Sequence, residues 1–220
     1  CKLYGYNYNT YIKEIVIDEA QDYSLGQLKL ISKIFRNASY TILGDINQTI
    51  NPYYRYESLE DIKKILSDSK YICLTKTYRS SEEIVEYSNG VLGLNHITAI
   101  RRNKPVPVDE RIEEDNNSQI RHDIDECRVH GKSVAIITKN QSECDKIYNL
   151  LKGTGISKID NSSKKFNRKF IVVPVYMAKG LEFDSVIIYT DKNNRYTNDE
   201  KYLYYVAITR AQHKLVVYNQ

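Results

Sequence analysis

Two carboxylates side by side, Asp18 and Glu19, close the β-branched run EIVID within the stretch IDEAQD (Ile17 to Asp22). A strand end is where open α/β sheets hold their ligands. Magnesium takes oxygen ligands in octahedral geometry, a demand Asp18 can meet through water, while Glu19 beside it is suited to orient and deprotonate an attacking water. The plainer reading of DEAQD is a loop that caps the next helix. A second strand end carries LGDINQ (Leu43 to Gln48), where Gln48 is a candidate sensor of a γ-phosphate or its attacking water and a simple Gly-Asp turn is the alternative. In TYRSSEEI (Thr77 to Ile84), Arg79 precedes an expected helix start, well placed to neutralise charge on a transferred phosphoryl group, and Tyr78 offers a ring to a base. The stretch VPVYMAKGLEFDSVIIY (Val173 to Tyr189) sets a polar turn containing Gly180 and Glu182 between two apolar strands. In YVAITRAQHKLVVY (Tyr205 to Tyr218), Arg210 ends a helix that feeds a last strand, a position from which an arginine can act as a finger.

One further run is a decoy. HGKS (His130 to Ser133) resembles the end of a phosphate-binding loop, but the glycine required five residues before Gly131 is Glu126, and a strand rather than a helix is expected after Ser133. It reads as a turn into SVAIIT, so the glycine-rich loop an ATPase needs is expected outside these residues. The four histidines show no paired spacing, and the four cysteines include no Cys-x-x-Cys pair, which argues against zinc and for reduced thiols.

The elements that must position these residues alternate. EIVID (Glu14 to Asp18) reads as a buried strand, Ser24 to Phe35 as a helix with Leu25, Leu28, Ile31 and Phe35 in phase, and Tyr40 to Asp45 as a second strand. A helix over Ser58 to Leu66 and a strand over Tyr71 to Leu74 follow. Ser80 with Glu83 three residues on predicts a capping box ahead of a helix to Leu92. Residues 103–117 read as an irregular connection with room for a short strand. Strands are then expected at Ser133 to Thr138, Phe170 to Tyr176, Asp184 to Thr190 and Lys214 to Tyr218, with helices at QSECDKIYNLLK and around Glu200 to Arg210. Short apolar strands alternating with helices predict an α/β fold with a mainly parallel sheet covered on both faces.

Composition sets the outer bounds. With 220 residues, 41% hydrophobic and 27% charged, the chain has the make-up of an ordinary globular protein, and no apolar run approaches the roughly 18 residues of a membrane span. The net charge is +4; residues 1–75 hold nine basic and nine acidic side chains, leaving 23 and 19 for 76–220, a thin excess for a nucleic-acid binder. The run Lys164, Lys165, Arg168 and Lys169 reads as a solvated face that can also meet a phosphate backbone. The chain begins at Cys1 and its one methionine is Met177, so it is expected to be part of a longer protein, cytoplasmic in location, with an N-terminal remainder.

In this order, the five stretches IDEAQD, LGDINQ, TYRSSEEI, VPVYMAKGLEFD and YVAITRAQHKL resemble motifs II to VI of the UvrD/Rep-type superfamily 1 helicases over nearly the whole chain. The resemblance implies RecA-like parallel sheets: residues 1–75 as the terminal part of a first RecA-like domain and 76–220 as the second, with ATP between them. It implies that Asp18 serves magnesium, Glu19 the attacking water, and Gln48 coupling of the γ-phosphate to DNA. Tyr78 would stack on adenine, Arg79 and Arg210 touch the γ-phosphate, and Gly180 and Glu182 line the nucleotide, with Glu182 on the ribose. In detail DEAQDYS, GDINQ and VPVYMAKGLEFD look most like HelD-type RNA polymerase recycling factors. Two departures concern single-stranded DNA: Asn51, Pro52 and Tyr53 replace a Tyr-Gly-Trp element, leaving Tyr53 to stack, and Tyr176 replaces a DNA-facing histidine.

The implied activity is ATP-dependent translocation or unwinding of single-stranded or duplex DNA. The alternatives are an RNA polymerase-associated ATPase that remodels polymerase with little unwinding, and a non-catalytic interaction module, against which the intact set Asp18, Glu19, Gln48, Arg79, Glu182 and Arg210 counts.

Overall fold

The structure, a computed structural model, describes residues 11–50, 55–101, 106, 108–111, 116–159 and 169–218. Tyr53, with Asn51 and Pro52, lies outside the described residues, as do Lys164, Lys165 and Arg168. The chain divides into two units, residues 1–73 and 74–220, each with its own core.

In the first unit, strand β1 (Glu14–Ile17) leads through helix α1 (Leu25–Ile34) to a parallel partner, β2 (Ser39–Ile42). Ser24 starts α1 by reciprocal capping: its hydroxyl accepts from the Gln27 amide at 3.3 Å, and the Gln27 side chain accepts from the Ser24 amide at 2.7 Å. Strand alternation then sorts the side chains. Ile15, Ile17, Tyr40 and Ile42 join Leu28 and Ile62 in the core, whereas Val16 and Leu43 are 61% and 50% exposed. The strand expected to be buried is thus buried on one face among the described residues.

Three further expectations are corrected. Ser58 to Leu66 forms a 3₁₀ helix, Leu59–Lys64, in which Glu60–Lys63 and Asp61–Lys64 pair at 2.7 Å, the three-residue spacing at which side chains of a 3₁₀ helix eclipse. Tyr71 to Leu74 is irregular with Ile72 and Leu74 exposed, and the strand comes later, as β3 (Lys76–Thr77). Helix α2 (Glu82–Leu92), which carries the chain to β4 (Thr98–Ala99) beside β3, takes Ser81 as its N-cap. The Ser80 hydroxyl donates instead to the Ala211 carbonyl at 2.6 Å, a long-range bond that satisfies a buried acceptor.

The second unit continues through β5 (Asp109–Arg111), α3 (Asn116–His130), β6 (Val134–Thr138), α4 (Gln141–Leu150), β7 (Ser157–Lys158), β8 (Phe170–Pro174), α5 (Val175–Ala178), β9 (Phe183–Tyr189), α6 (Lys201–Ile208) and β10 (Ala211–Tyr218). Six strands form one parallel sheet in the order β5-β10-β9-β6-β8-β7. Every residue of β6 and β8 is buried, the pattern of strands covered on both faces. Helices α3 and α4 supply Ile120, Ile124, Cys127, Cys144 and Ile147 to one face, while α2, α5 and α6 pack on the sheet as well. Burial pushes the Cys127 thiol up to about 12.

Helix α3 was not expected, and the strand expected to run to Tyr176 ends at Pro174, which has no N–H to continue the ladder and stands as the extended N-cap of α5. After α3 the HGKS turn leads into β6. The Lys132 and Ser133 amides and the Ser133 hydroxyl donate to Asp184 Oδ2 at 2.9, 2.9 and 2.8 Å. A Cβ on Gly131 would stand 2.0 Å from the Asp184 Cβ, so this turn is a nest already filled by the protein's own carboxylate. No helix among the described residues is long and apolar enough to cross a membrane.

Candidate nucleotide site

In the first unit, Asp18 and Glu19 stand just beyond the carboxyl end of β1. Glu19 has φ 51° and ψ 43°, making it the one positive-φ residue other than glycine among those described. A left-handed conformation at a side-chain-bearing residue costs about 1–3 kcal/mol and persists where surrounding contacts hold it. Here the Glu19 amide donates to Asp18 Oδ1 at 2.8 Å, and Gln21 Nε2 donates to Glu19 Oε2 at 2.5 Å. Gln21 is 1% exposed, and its Oε1 accepts from the Asp45 amide at 3.0 Å, so one buried side chain joins IDEAQD to LGDINQ. The backbone makes the same junction, Ala20 N–H to the Leu43 carbonyl at 2.9 Å.

Asp45 then fixes the second loop. Its Oδ1 accepts from the Asn47 amide at 2.9 Å and its Oδ2 from Gln48 Nε2 at 2.8 Å. Gly44 is required by close approach: a Cβ there would meet Gln21 Oε1 at 2.7 Å and the Ala20 nitrogen at 3.1 Å. From below, the hydroxyl of the buried Tyr56 donates to the Tyr23 carbonyl at 2.6 Å. Asp18, Glu19 and Gln48 are therefore held by one network through Gln21 and Asp45. Neither of those two was singled out in the sequence, because their roles rest on contacts between loops 24 residues apart. Asp18 is exposed with only Oδ1 engaged by a hydrogen bond among the described residues, so an oxygen-seeking cation such as magnesium fits this donor set.

In the second unit, Glu182 and Arg210 stand just before the amino ends of β9 and β10, and Arg79 pairs with Glu182. Arg79 Nη2 pairs with Glu182 Oε1 at 2.6 Å, and Gln212 Nε2 donates to Glu182 Oε2 at 2.8 Å. Arg210 is 1% exposed; its Nε donates to the Val206 carbonyl at 3.0 Å and its Nη1 to the Leu181 carbonyl at 3.3 Å, which ties α6 to the turn before β9. Gly180 holds that turn at φ 77°, a conformation a side chain would strain. Tyr78 is 73% exposed beside Arg79, and the neighbouring Ser81 hydroxyl is buried with no hydrogen-bond partner among the described residues.

Tyr176 sits at the opposite, carboxyl end of the sheet. It lies on α5 after β8, 44% exposed, with its hydroxyl 3.4 Å from Gln141 Oε1 at the start of α4. A cavity of about 230 Å³ opens at the carboxyl ends of β9 and β10, lined by Thr190, Arg195, Tyr196, Lys201 and Tyr204 among others. Tyr196 stacks on Tyr204 with centroids 4.8 Å apart, and burial raises both phenols.

The description "UvrD-like helicase C-terminal domain" matches residues 110–220, half of the chain, and "UvrD/REP helicase N-terminal domain" matches residues 5–72. Among solved structures, the C-terminal domain of a possible DNA helicase from Lactobacillus plantarum WCFS1 is 26% identical at a TM-score of 0.52, over 64% of this chain and 86% of that one. The PRRSV helicase is similar in fold, at 16% identity and a TM-score of 0.55, over 94% of this chain and 35% of that one. No curated protein matches. A six-stranded parallel sheet of RecA-like type and two helicase matches in sequence order meet on one polypeptide, and the chain belongs to the UvrD-like helicase family.

Proposed function

We propose that this chain is the motor region of an ATP-dependent DNA helicase or translocase, with residues 1–75 contributing the end of a first RecA-like domain and 76–220 the second. The observation that supports the reading is the Gln21 junction, which with Asp45 links Asp18, Glu19 and Gln48 in one hydrogen-bond network. Bound magnesium and ATP supply the phosphoryl group and the charge that neutralises it. Asp18 would hold magnesium, Glu19 would take a proton from the attacking water, and Gln48 would register the γ-phosphate. In the second unit Arg79 counters phosphoryl charge, and Arg210, 1% exposed, does so once its bonds to the Val206 and Leu181 carbonyls are exchanged for the phosphate; Tyr78 stacks on adenine, and Gly180 and Glu182 shape the ribose contact. Tyr176, on the other end of the sheet, is the candidate for stacking on single-stranded DNA, with Tyr53.

The test is steady-state ATP hydrolysis by the full-length protein with and without single-stranded DNA. Stimulation of several-fold by DNA supports the motor reading. Hydrolysis indifferent to DNA, in a protein that co-purifies with RNA polymerase, favours instead the polymerase-remodelling reading suggested by the HelD-like motif wording.

A further inference from the structure

Glu182 has two carboxylate oxygens, and the structure occupies them differently. Oε1 pairs with Arg79, and these two side chains are 39% and 41% exposed, so the pair is screened and readily exchanged. Oε2 accepts from Gln212, which is held from behind. The Gln212 carbonyl accepts from the Ser81 amide at 3.0 Å, the preceding Ala211 carbonyl accepts from the Ser80 hydroxyl at 2.6 Å, and Ala211 pairs in register with Phe183, the residue after Glu182. The exchangeable contact and the fixed one fall on different oxygens of a single carboxylate.

This matters on the reading above, in which Arg79 serves the phosphoryl group and Glu182 the ribose. Bonded to each other at 2.6 Å, they cannot also serve opposite ends of one nucleotide, so binding must separate them. A half-exposed glutamate that loses its only partner samples several rotamers, and ordering it again weakens the contact it goes on to make. We propose that Gln212 is a positioning residue: it keeps Glu182 oriented after Arg79 leaves, and thereby sets the preference for a nucleotide whose ribose carries its 2′ and 3′ hydroxyls.

The experiment compares KM and kcat for ATP and 2′,3′-dideoxyATP in the full-length protein and in Gln212→Leu, Gln212→Glu and Glu182→Ala. The wild type is expected to prefer ATP and Glu182→Ala to lose that preference. Gln212→Leu should reduce it by roughly three- to tenfold, the worth of one hydrogen bond, through KM with kcat for ATP little changed. Gln212→Glu, which sets carboxylate against carboxylate, should reduce it at least as far and carries the test if the leucine variant does not fold. General damage weakens both nucleotides alike and leaves their ratio intact. A preference retained in the Gln212 variants but lost in Glu182→Ala overturns the role of Gln212 and spares the ribose reading. A preference retained in Glu182→Ala, or absent from the wild type, overturns that reading and this inference with it.

Discussion

Glu19 occupies a left-handed backbone conformation that glycine would adopt at lower cost, so surrounding contacts must hold it there. Its support comes from Gln21, whose amide nitrogen donates to Glu19 and whose oxygen takes the Asp45 amide. Glu19→Gln preserves this support, because the new amide oxygen accepts from Gln21 as the carboxylate did. In the full-length protein the variant is therefore expected to keep the wild-type unfolding midpoint while ATP hydrolysis falls by about 10²- to 10⁴-fold, the usual contribution of a general base. Turnover within a few-fold of wild type removes Glu19 from the chemistry. Gly44→Ala tests the junction rather than the base: a methyl group 2.7 Å from Gln21 Oε1 and 3.1 Å from a backbone nitrogen pushes the two loops apart. A loss of about 1–3 kcal/mol in urea unfolding is expected. An unchanged midpoint would mean that the loops adjust independently.

Among the elements, α3 shows how a helix with little apolar surface is fastened. Ile120, Ile124 and Cys127 are buried, and between them Asp123, fully buried, accepts from Arg111 Nη2 at 2.9 Å, Gln119 at 3.0 Å and the Tyr218 hydroxyl at 2.5 Å, which joins α3 to β5 and β10. Burial acts to raise the Asp123 carboxyl, but the bonds from Arg111, Tyr218 and Gln119 outweigh it and hold the group below the usual carboxylate range. A carboxyl depressed in the folded state adds stability that is complete above its unfolded pKa, about 3.9, and is lost as pH falls through the folded value. Asp123→Asn should cost about 1–3 kcal/mol at pH 7, where it removes the shortest of the carboxylate contacts to Arg111 and leaves the longer ones to Asp109 and Glu126, and visibly less near pH 3. Equal losses at the two pH values in urea titrations would refute that assignment. Helix α3 also marks where sequence legibility ended. Four strands of the six-stranded sheet, β6, β8, β9 and β10, announce themselves by apolar runs, whereas β5 (DER) and β7 (SK) carry none and take their place through pairing alone; Glu182 and Arg210 draw notice by flanking such runs, and Arg79 by preceding a helix start. Three apolar residues at 120, 124 and 127 do repeat at helical spacing, but among Asn, Arg, His and Asp they raise no periodic signal above a polar connection. The role of Ser80 was hidden for another reason: its partner, the Ala211 carbonyl, is 131 residues away.

At the scale of the whole molecule, the two units differ in how their strands are held. In the second unit β6 runs between two parallel ladders, with β8 on one side and β9 on the other, and all five of its residues are buried. In the first unit β1 and β2 pair with each other among the described residues, and one face of the pair leaves Val16 and Leu43 exposed. Opening β6 exposes apolar surface on both faces and breaks two ladders; opening β1 exposes one face and breaks one. Local opening free energies follow such differences in burial and pairing, so the amides of Val134–Thr138 and Phe183–Tyr189 should exchange with deuterium more than about tenfold slower than those of Glu14–Ile17 and Ser39–Ile42. Peptide-resolved hydrogen exchange at neutral pH, in the absence of nucleotide, measures this directly. Protection that is uniform across both sets would mean that the units open together as one cooperative block, and the Gln21 network would then owe its rigidity to the whole chain rather than to the small core of Ile17, Leu28, Tyr56 and Ile62 beneath it.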